Sequence, residues 1–239
     1  MIGVVAASDP LVSIIVPVFN EAASVTAVVD RLLTIQFPAS REIIVVNDGS
    51  TDGTRAALER MATGPAVQII HVDRNRGKGY AVRQGFARAR GSVIAIQDAD
   101  LELDPAQLPD LVGPVLRGEA DVVYGSRFLR STSAPFMTVA GNRLLTALTN
   151  LLFQASLTDM ETCYKVMRGD IARSLVLSAD RFDIEPEITA RLLLGGYRIV
   201  EQPVSFDARS RAAGKKMRWR DGWMAVRVLI RQRLRGRRT

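Results

Sequence analysis

Short, largely apolar runs recur at intervals through the first half of the chain, each followed by a polar turn and then by an amphipathic stretch. The runs are residues 12–17, 42–47, 67–72 and 92–97. They are rich in Ile and Val and of strand length. Apolar residues return at helical spacing from Asn20-Glu21 to Leu33, over 54–61 and over 78–89, with Asn20 placed to cap the first of these helices. Strand and helix alternating with short turns predict an α/β domain, a parallel sheet covered by helices on both faces. Right-handed crossovers put the C-terminal ends of the strands on one edge, and ligands bind at that edge in such sheets.

The second half is less regular. Residues 121–125 predict another strand, followed by a polar loop to Ser133. Residues 144–153 form an apolar helix candidate, and 185–194 predict an amphipathic helix that stops at Gly195-Gly196. Residues 198–204 read as an edge strand interrupted by Pro203. With no internal repeat and no low-complexity linker, one catalytic domain over 11–217 is expected, between an N-terminal extension, 1–10, and a basic C-terminal helix and tail, 218–239.

Polar clusters gather at the expected ligand edge. Asp98, Asp100 and Glu102 alternate directly after the fourth strand. Oxygen-rich sets of this kind suit hard divalent cations such as Mg²⁺ or Mn²⁺, which keep waters and take one or two carboxylates plus ligand phosphate oxygens. The same acids would also favour the N-terminus of a helix opening at Pro105. Asp48 follows the second strand and opens the turn Asp48-Gly-Ser-Thr-Asp-Gly53. A carboxylate there can accept from a nucleobase or ribose, or can make a simple Asx turn. Asn75-Arg76-Gly77-Lys78-Gly79 is a basic turn able to approach phosphate, but it lacks P-loop spacing. A G-x-G-x-x-G fingerprint is also missing after the first strand, which argues against a dinucleotide dehydrogenase.

Charge adds a second theme. The chain has 239 residues and a net charge of +7. From Ser205 onward there are 12 Lys and Arg against two Asp, so this end carries +10 and the preceding residues sum to −3. Such a distribution suggests an anionic partner, or else a solvated tail. Trp219, Trp223, Val226, Ile230 and Leu234 recur at helical spacing among arginines, as in a helix lying in a lipid interface or one packed on the domain. Leu144 to Phe153 is a second interfacial candidate. No run approaches the roughly 18 apolar residues of a membrane span, and no signal peptide is evident. One cysteine, Cys163, fits a reducing compartment. No helix-turn-helix, zinc-finger spacing or aromatic-rich basic sheet supports nucleic-acid binding.

The segment Ser13-Ile-Ile-Val-Pro-Val-Phe-Asn-Glu21, the turn Asn47-Asp-Gly-Ser-Thr-Asp-Gly-Thr54, Asp98-Ala-Asp100 and Gly125-Ser-Arg127 occur in an order that resembles family 2 glycosyltransferases. Within that family the chain is similar to the dolichyl-phosphate mannose synthase and polyprenyl-phosphate sugar transferase group. The likeness extends through Thr158-Asp-Met-Glu-Thr-Cys-Tyr-Lys-Val-Met-Arg168, Phe182-Asp-Ile-Glu-Pro-Glu-Ile188 and Arg209 to Lys216. It implies a GT-A fold with a Rossmann-like nucleotide-binding half. It also implies roles: Pro17, Glu21 and Asp48 line the nucleoside pocket, and Asp98 lies near ribose and diphosphate. Asp100 holds the metal with Glu102 as second ligand, where relatives often have Gln. Arg127 and Arg143 face the acceptor phosphate. Arg209, with Lys215 or Lys216, closes over the donor diphosphate.

The expected reaction is inverting transfer of a hexose from a nucleotide sugar of the GDP-mannose or UDP-glucose type to a polyprenyl phosphate. An acceptor phosphate is already anionic near neutral pH and needs orientation more than a base. A soluble family 2 enzyme acting on a hydroxyl is the alternative. It would need a base, for which Asp159 is the candidate unless it is paired with Lys165 or Arg168. A sugar-nucleotide binder without activity is disfavoured by the retained Asp48, Asp98, Asp100 and Arg127. The expected location is the cytoplasmic face of the membrane, held peripherally or through an anchoring partner protein.

Overall fold

The structure, a computed structural model, describes residues 10–61, 64–130, 135–208 and 219–236. The first half follows the hydrophobic pattern: β1 (Leu11–Val18), α1 (Val25–Thr34), β2 (Ser40–Asp48), α2 (Thr54–Arg60), β3 (Val67–Val72), α3 (Lys78–Arg88) and β4 (Val93–Ile96). A single 3-10 turn (Pro105–Gln107) leads into α4 (Leu108–Leu116) and β5 (Val122–Ser126). Then come α5 (Phe136–Phe153), β6 (Lys165–Arg168), α6 (Gly169–Ser174), α7 (Ile184–Leu194), β7 (Ile199–Pro203) and α8 (Trp219–Gly236).

The seven strands lie in the order β3-β2-β1-β4-β6-β5-β7. All pairs are parallel except those of β6, which runs antiparallel to both β4 and β5. Period-two alternation assigns each strand's side chains to two cores. Val12, Ile14, Val16, Ile43 and Val45 face α1, α2 and α4, while Ile15, Ile44 and Val46 face α3, α6 and α7. Strands buried on both faces read as continuous apolar runs, which is the pattern of β1 and β2. β7 is an edge strand, as its Pro203 suggests.

Two expectations need correction. Asn20 does not cap α1, which starts later, at Val25, behind Ser24. Asn20 instead adopts the left-handed conformation with φ 54°. Its backbone N–H donates to Ser50 Oγ (2.9 Å) and its Oδ1 accepts from the Thr51 N–H (2.8 Å). It therefore fastens the loop after β1 to the loop after β2. The apolar helix expected from Leu144 begins two turns earlier, at Phe136. The C-terminal helix packs on the domain, one of the two arrangements its pattern allows: Leu229 of α8 joins Leu157, Met160 and Ala190 in a third, smaller core built with α5 and α7. The face it buries is Ala225, Leu229 and Gln232; Trp223, Ile230 and Leu234 stay exposed.

Candidate active site

The loops that follow β1, β2, β3 and β4 rise from one edge of the sheet. The turn after β3 is organised by Asp48. Its carboxylate accepts from the backbone N–H of Arg76 (3.0 Å) and Gly77 (2.6 Å) and from Asn75 Nδ2 (2.9 Å). Burial pushes the Asp48 carboxyl up, and those backbone donors oppose the push. Gly49, at φ +64°, lies so close that a Cβ would come within 2.3 Å of the Arg74 backbone. Thus Asp48 shapes the basic turn from within, and Arg76 lies over the Tyr80 ring at 3.9 Å. Pro17 is buried within β1, paired in register with Val46. Glu21 is also buried, accepting from Ser24 Oγ (2.8 Å) and donating its N–H to Thr54 Oγ1 (2.8 Å).

Below this lies a chain of alternating charges. Lys78, at the start of α3, reaches Asp98 Oδ1 (2.7 Å) and Glu185 Oε1 (2.9 Å). Glu185, on α7, also accepts from Lys165 Nζ (2.6 Å). Burial works against the Lys78 charge, but Asp98 and Glu185 outweigh it and hold its pKa above the ordinary lysine value. Burial likewise works against the Glu185 anion, and the two lysines win. Lys165 is wholly buried; its ammonium also donates to the carbonyls of Met160 (3.1 Å) and Thr162. An ammonium has three donors, so Lys165 is fully engaged.

The turn after β4 is fixed by buried groups that local spacing does not reveal. Gln97 donates to the carbonyls of Asp98 (3.0 Å) and Leu103 (3.2 Å), and the Tyr164 hydroxyl lies 2.7 Å from Gln97 Oε1. Leu101 takes a positive φ of 61°, and Asp100 Oδ1 accepts from the Glu102 N–H (3.1 Å). Asp98 is committed to Lys78. Among the described residues no three His, Cys, Asp or Glu side chains gather as a metal cage. Asp100 and Glu102, both partly exposed on one turn, match a different donor set: one or two carboxylates completed by water and ligand phosphate oxygens.

Across the site, Arg127 follows β5. Its Nε and Nη2 donate to Asp159 Oδ2 and Oδ1, both at 2.7 Å. Asp159 is fully buried. Burial opposes the guanidinium charge and Asp159 more than restores it, holding Arg127 above its ordinary range. Asp159 is thus paired with neither Lys165 nor Arg168; the latter bridges Asp121 and Asp170. Glu201 of β7 braces the same loop, accepting from the N–H groups of Thr158 (2.7 Å) and Asp159 (2.9 Å). Arg127 and Arg143 do come together: they flank the Phe128 ring at 5.6 and 6.0 Å. Phe206 lies 5.3 Å from the Arg127 guanidinium, and the next residue, Asp207, donates its N–H to the Glu102 carbonyl (2.9 Å). Arg209, Lys215 and Lys216 lie outside the described residues.

Between these two sides sits Glu161, which sequence reasoning passed over. It is 8% exposed, and its Oε1 has no hydrogen-bond partner among the described residues. Burial pushes its carboxyl up to about 7; Lys165 pulls the other way and Glu185 adds to the rise.

Residues 13–176 match the family model described as Glycosyl transferase family 2. The chain is 30% identical over 219 residues to the dodecaprenyl-phosphate galacturonate synthase of Rhizobium johnstonii, covering 87% of this chain and 63% of that one. It is 27% identical over 210 residues to the dolichol-phosphate mannosyltransferase of Pyrococcus furiosus, covering 85% of this chain and 58% of that one. This chain therefore spans less than two thirds of the length of these relatives. Among solved structures, a glucosyl-3-phosphoglycerate synthase from Mycobacterium tuberculosis, in complex with Mn²⁺, UDP-glucose and phosphoglyceric acid, superposes with a TM-score of 0.71 at 19% identity, covering 94% of this chain and 80% of that one. That likeness is one of fold.

Proposed function

The chain belongs to glycosyl transferase family 2 and has the GT-A fold, and from that premise we propose that it transfers a hexose from a nucleotide sugar to a polyprenyl phosphate with inversion. The observation that carries the reading is the polarity of the site. A carboxylate turn, Asp98 to Glu102, lies on one side, and two arginines, Arg127 and Arg143, flank Phe128 on the other. The named relatives support the acceptor class, since both are named for a dodecaprenyl or dolichol phosphate.

In this reading the donor's nucleoside lies by Pro17, Glu21 and the turn that Asp48 organises, and its diphosphate approaches Lys78 and the Asp98–Glu102 turn. Asp100 and Glu102 would hold a Mg²⁺ or Mn²⁺ ion, which supplies positive charge to the departing diphosphate. Arg209, Lys215 and Lys216 would close over the same phosphates. Arg127, fixed by Asp159, and Arg143 orient the acceptor phosphate through charge-assisted contacts. A phosphate oxygen attacks the anomeric carbon as the bond to the diphosphate breaks, so no base is required. That agrees with Asp159 being occupied by two guanidinium hydrogen bonds. The enzyme would work at the cytoplasmic face of a membrane, held peripherally by α5 and α8 or by an anchoring partner.

The test is a panel of GDP-mannose and UDP-sugars, with and without polyprenyl phosphate, the product being identified by mass. Glycosylated lipid is expected from the wild type, with a loss on the order of 10²-fold or more in Asp100→Ala and in EDTA. Transfer only to a water-soluble hydroxyl would overturn the acceptor, and full activity in EDTA would overturn the metal.

A further inference from the structure

We infer that His71 is a positioning residue for the donor's nucleoside: its neutral ring holds Asn47 in the orientation that fixes the loop after β2, and its protonated ring turns Asn47 away. The inference rests on the donor reading above, in which Pro17, Glu21 and the Asp48 turn line the nucleoside.

His71 is the one histidine of the chain. It stands on β3, an edge strand of the sheet, in register with Asn47 of β2. It is partly exposed, so solvent protons reach it. Its Nδ1 lies 3.1 Å from Asn47 Nδ2. The other end of the same amide fixes which group faces the ring, because Asn47 Oδ1 accepts from the Ser50 backbone N–H (3.2 Å). Nδ2 therefore donates and Nδ1 accepts, which selects the neutral imidazole with its proton on Nε2. The turn that Asn47 closes is fastened in its turn to the loop after β1. Ser50 Oγ accepts from the Asn20 N–H, the Thr51 N–H donates to Asn20 Oδ1, and the next residue, Glu21, donates its N–H to Thr54 Oγ1. One line of hydrogen bonds thus runs from the sheet edge to the residues assigned to the nucleoside.

Protonation reverses the role of Nδ1. Both nitrogens of an imidazolium donate, so an Nδ1–H would meet the Asn47 Nδ2–H₂. Asn47 relieves that opposition by rotating its amide, which gives Oδ1 to His71 and takes it from Ser50. Histidine ordinarily changes charge between about pH 5 and 8, so the loop loosens as pH falls through that range. Neighbouring charges leave the device to His71. Period-two alternation puts His71 with Val67 and Ile69 on the face that α2 covers. That helix carries Arg55, Glu59 and Arg60; Glu59 accepts from Arg55 Nε (2.8 Å), and Arg60 Nε donates to the Ala56 carbonyl (3.0 Å). Asp52 of the loop accepts from the N–H groups of Thr54 (2.9 Å) and Ala22 (3.3 Å). Asp48 follows Asn47 on the opposite face of β2 and is held by the Arg76–Gly77 backbone. Asp73 and Arg74 come after β3.

The experiment is calorimetric binding of UDP-glucose and GDP-mannose, with Mg²⁺ and without acceptor, to wild type and His71→Asn at about pH 8 and about pH 5.5. The diphosphate of a nucleotide sugar does not titrate between these values. Asparagine offers an acceptor oxygen in place of Nδ1 and does not titrate either. The wild type is expected to bind its donor about 5- to 10-fold more weakly at the lower pH, and His71→Asn to keep its affinity within about twofold, the difference being the worth of about one hydrogen bond. Burial pushes the Asp48 and Glu161 carboxyls up in both proteins, so the difference between the two profiles isolates His71. A merely structural role would weaken the variant alike at both pH values, and parallel profiles overturn the inference. Isotope-edited NMR of the wild type decides the matter if the variant does not fold, since a single histidine gives a single imidazole pattern. Near neutral-to-basic pH the ring proton is expected on Nε2; a proton on Nδ1 overturns the inference. A wild type that binds a donor equally at both pH values overturns it alone and leaves the donor reading standing. A wild type that binds no nucleotide sugar removes both.

Discussion

At the scale of single residues, Glu161 links the site to pH. Its carboxyl, ordinarily near 4.5, is pushed up to about 7 in the fold, chiefly by burial. Between those values the folded state holds a proton that the unfolded chain has released. Stability must therefore fall as pH rises from about 4.5 to about 7, and level off above. Glu161→Gln mimics the protonated form at every pH. The variant is expected to match the wild type near pH 4.5 and to exceed it above pH 7 by up to about 3 kcal/mol. Urea unfolding at a series of pH values checks this; parallel curves would mean that Glu161 titrates normally. Sequence could not single this residue out, because its character comes first from a burial that only the tertiary fold creates. The same limit applies to Asp48 and Asp98. Their places at strand ends were legible from the apolar runs before them, but the Arg76–Gly77 backbone and Lys78 that occupy them lie more than a turn of chain away. The pairing of Lys165 with Glu185 was not legible, since a buried lysine and a buried glutamate each look like surface residues until the fold joins them.

At the scale of elements, legibility follows period and length. β1 and β2 were plain because eight or nine residues alternate between two cores. β6 was missed because it has four residues and begins with a lysine that is buried only through its ion pair. Its antiparallel insertion between β4 and β5 is what brings the loop with Asp159 and Glu161 to the same edge as Asp98. One close approach deserves a test because two physical effects oppose each other there. Gly85 sits mid-helix in α3, and a Cβ on it would lie 2.2 Å from Ile15 Cγ2 of β1. Helix propensity alone favours alanine over glycine by about 1 kcal/mol. Overpacking a core costs typically about 1–3 kcal/mol, and here the contact is with a β-branched side chain in a central strand that cannot rotate away cheaply. Steric crowding should win: Gly85→Ala is expected to lower the urea midpoint. A variant at least as stable as the wild type would show that α3 can shift outward from the sheet without loss.

At the scale of the whole molecule, the question is what the surface of α5 and α8 is for. Among the described residues no helix is long and apolar enough to cross a membrane. Yet Phe136, Met137, Leu144 and Leu151 of α5 and Trp223, Ile230 and Leu234 of α8 are exposed. The two helices pack on one another through the third core. A groove of about 310 Å³ opens between their ends, lined by Leu151, Leu152, Gln154, Ile230, Arg233 and Leu234. Arg227, Arg231 and Arg235 are exposed on the same helix. Apolar side chains ringed by arginines suit the boundary between headgroups and acyl chains. Arg143, one of the two arginines flanking Phe128, stands on α5, so such docking would bring a lipid-borne phosphate toward Arg127. Each basic residue near an anionic surface contributes on the order of 1 kcal/mol, screened by salt. Removing α8 would be a poor test, because Ala225 and Leu229 are buried and their loss would open the third core. Replacing the exposed Trp223, Ile230 and Leu234 together by serine leaves that core intact. The wild type is expected to co-sediment with anionic liposomes, less with neutral ones, and to be released by high salt. The triple variant should lose most of that binding while keeping its melting temperature and its affinity for nucleotide. Equal, negligible sedimentation with both lipids would assign these apolar residues to a protein partner instead.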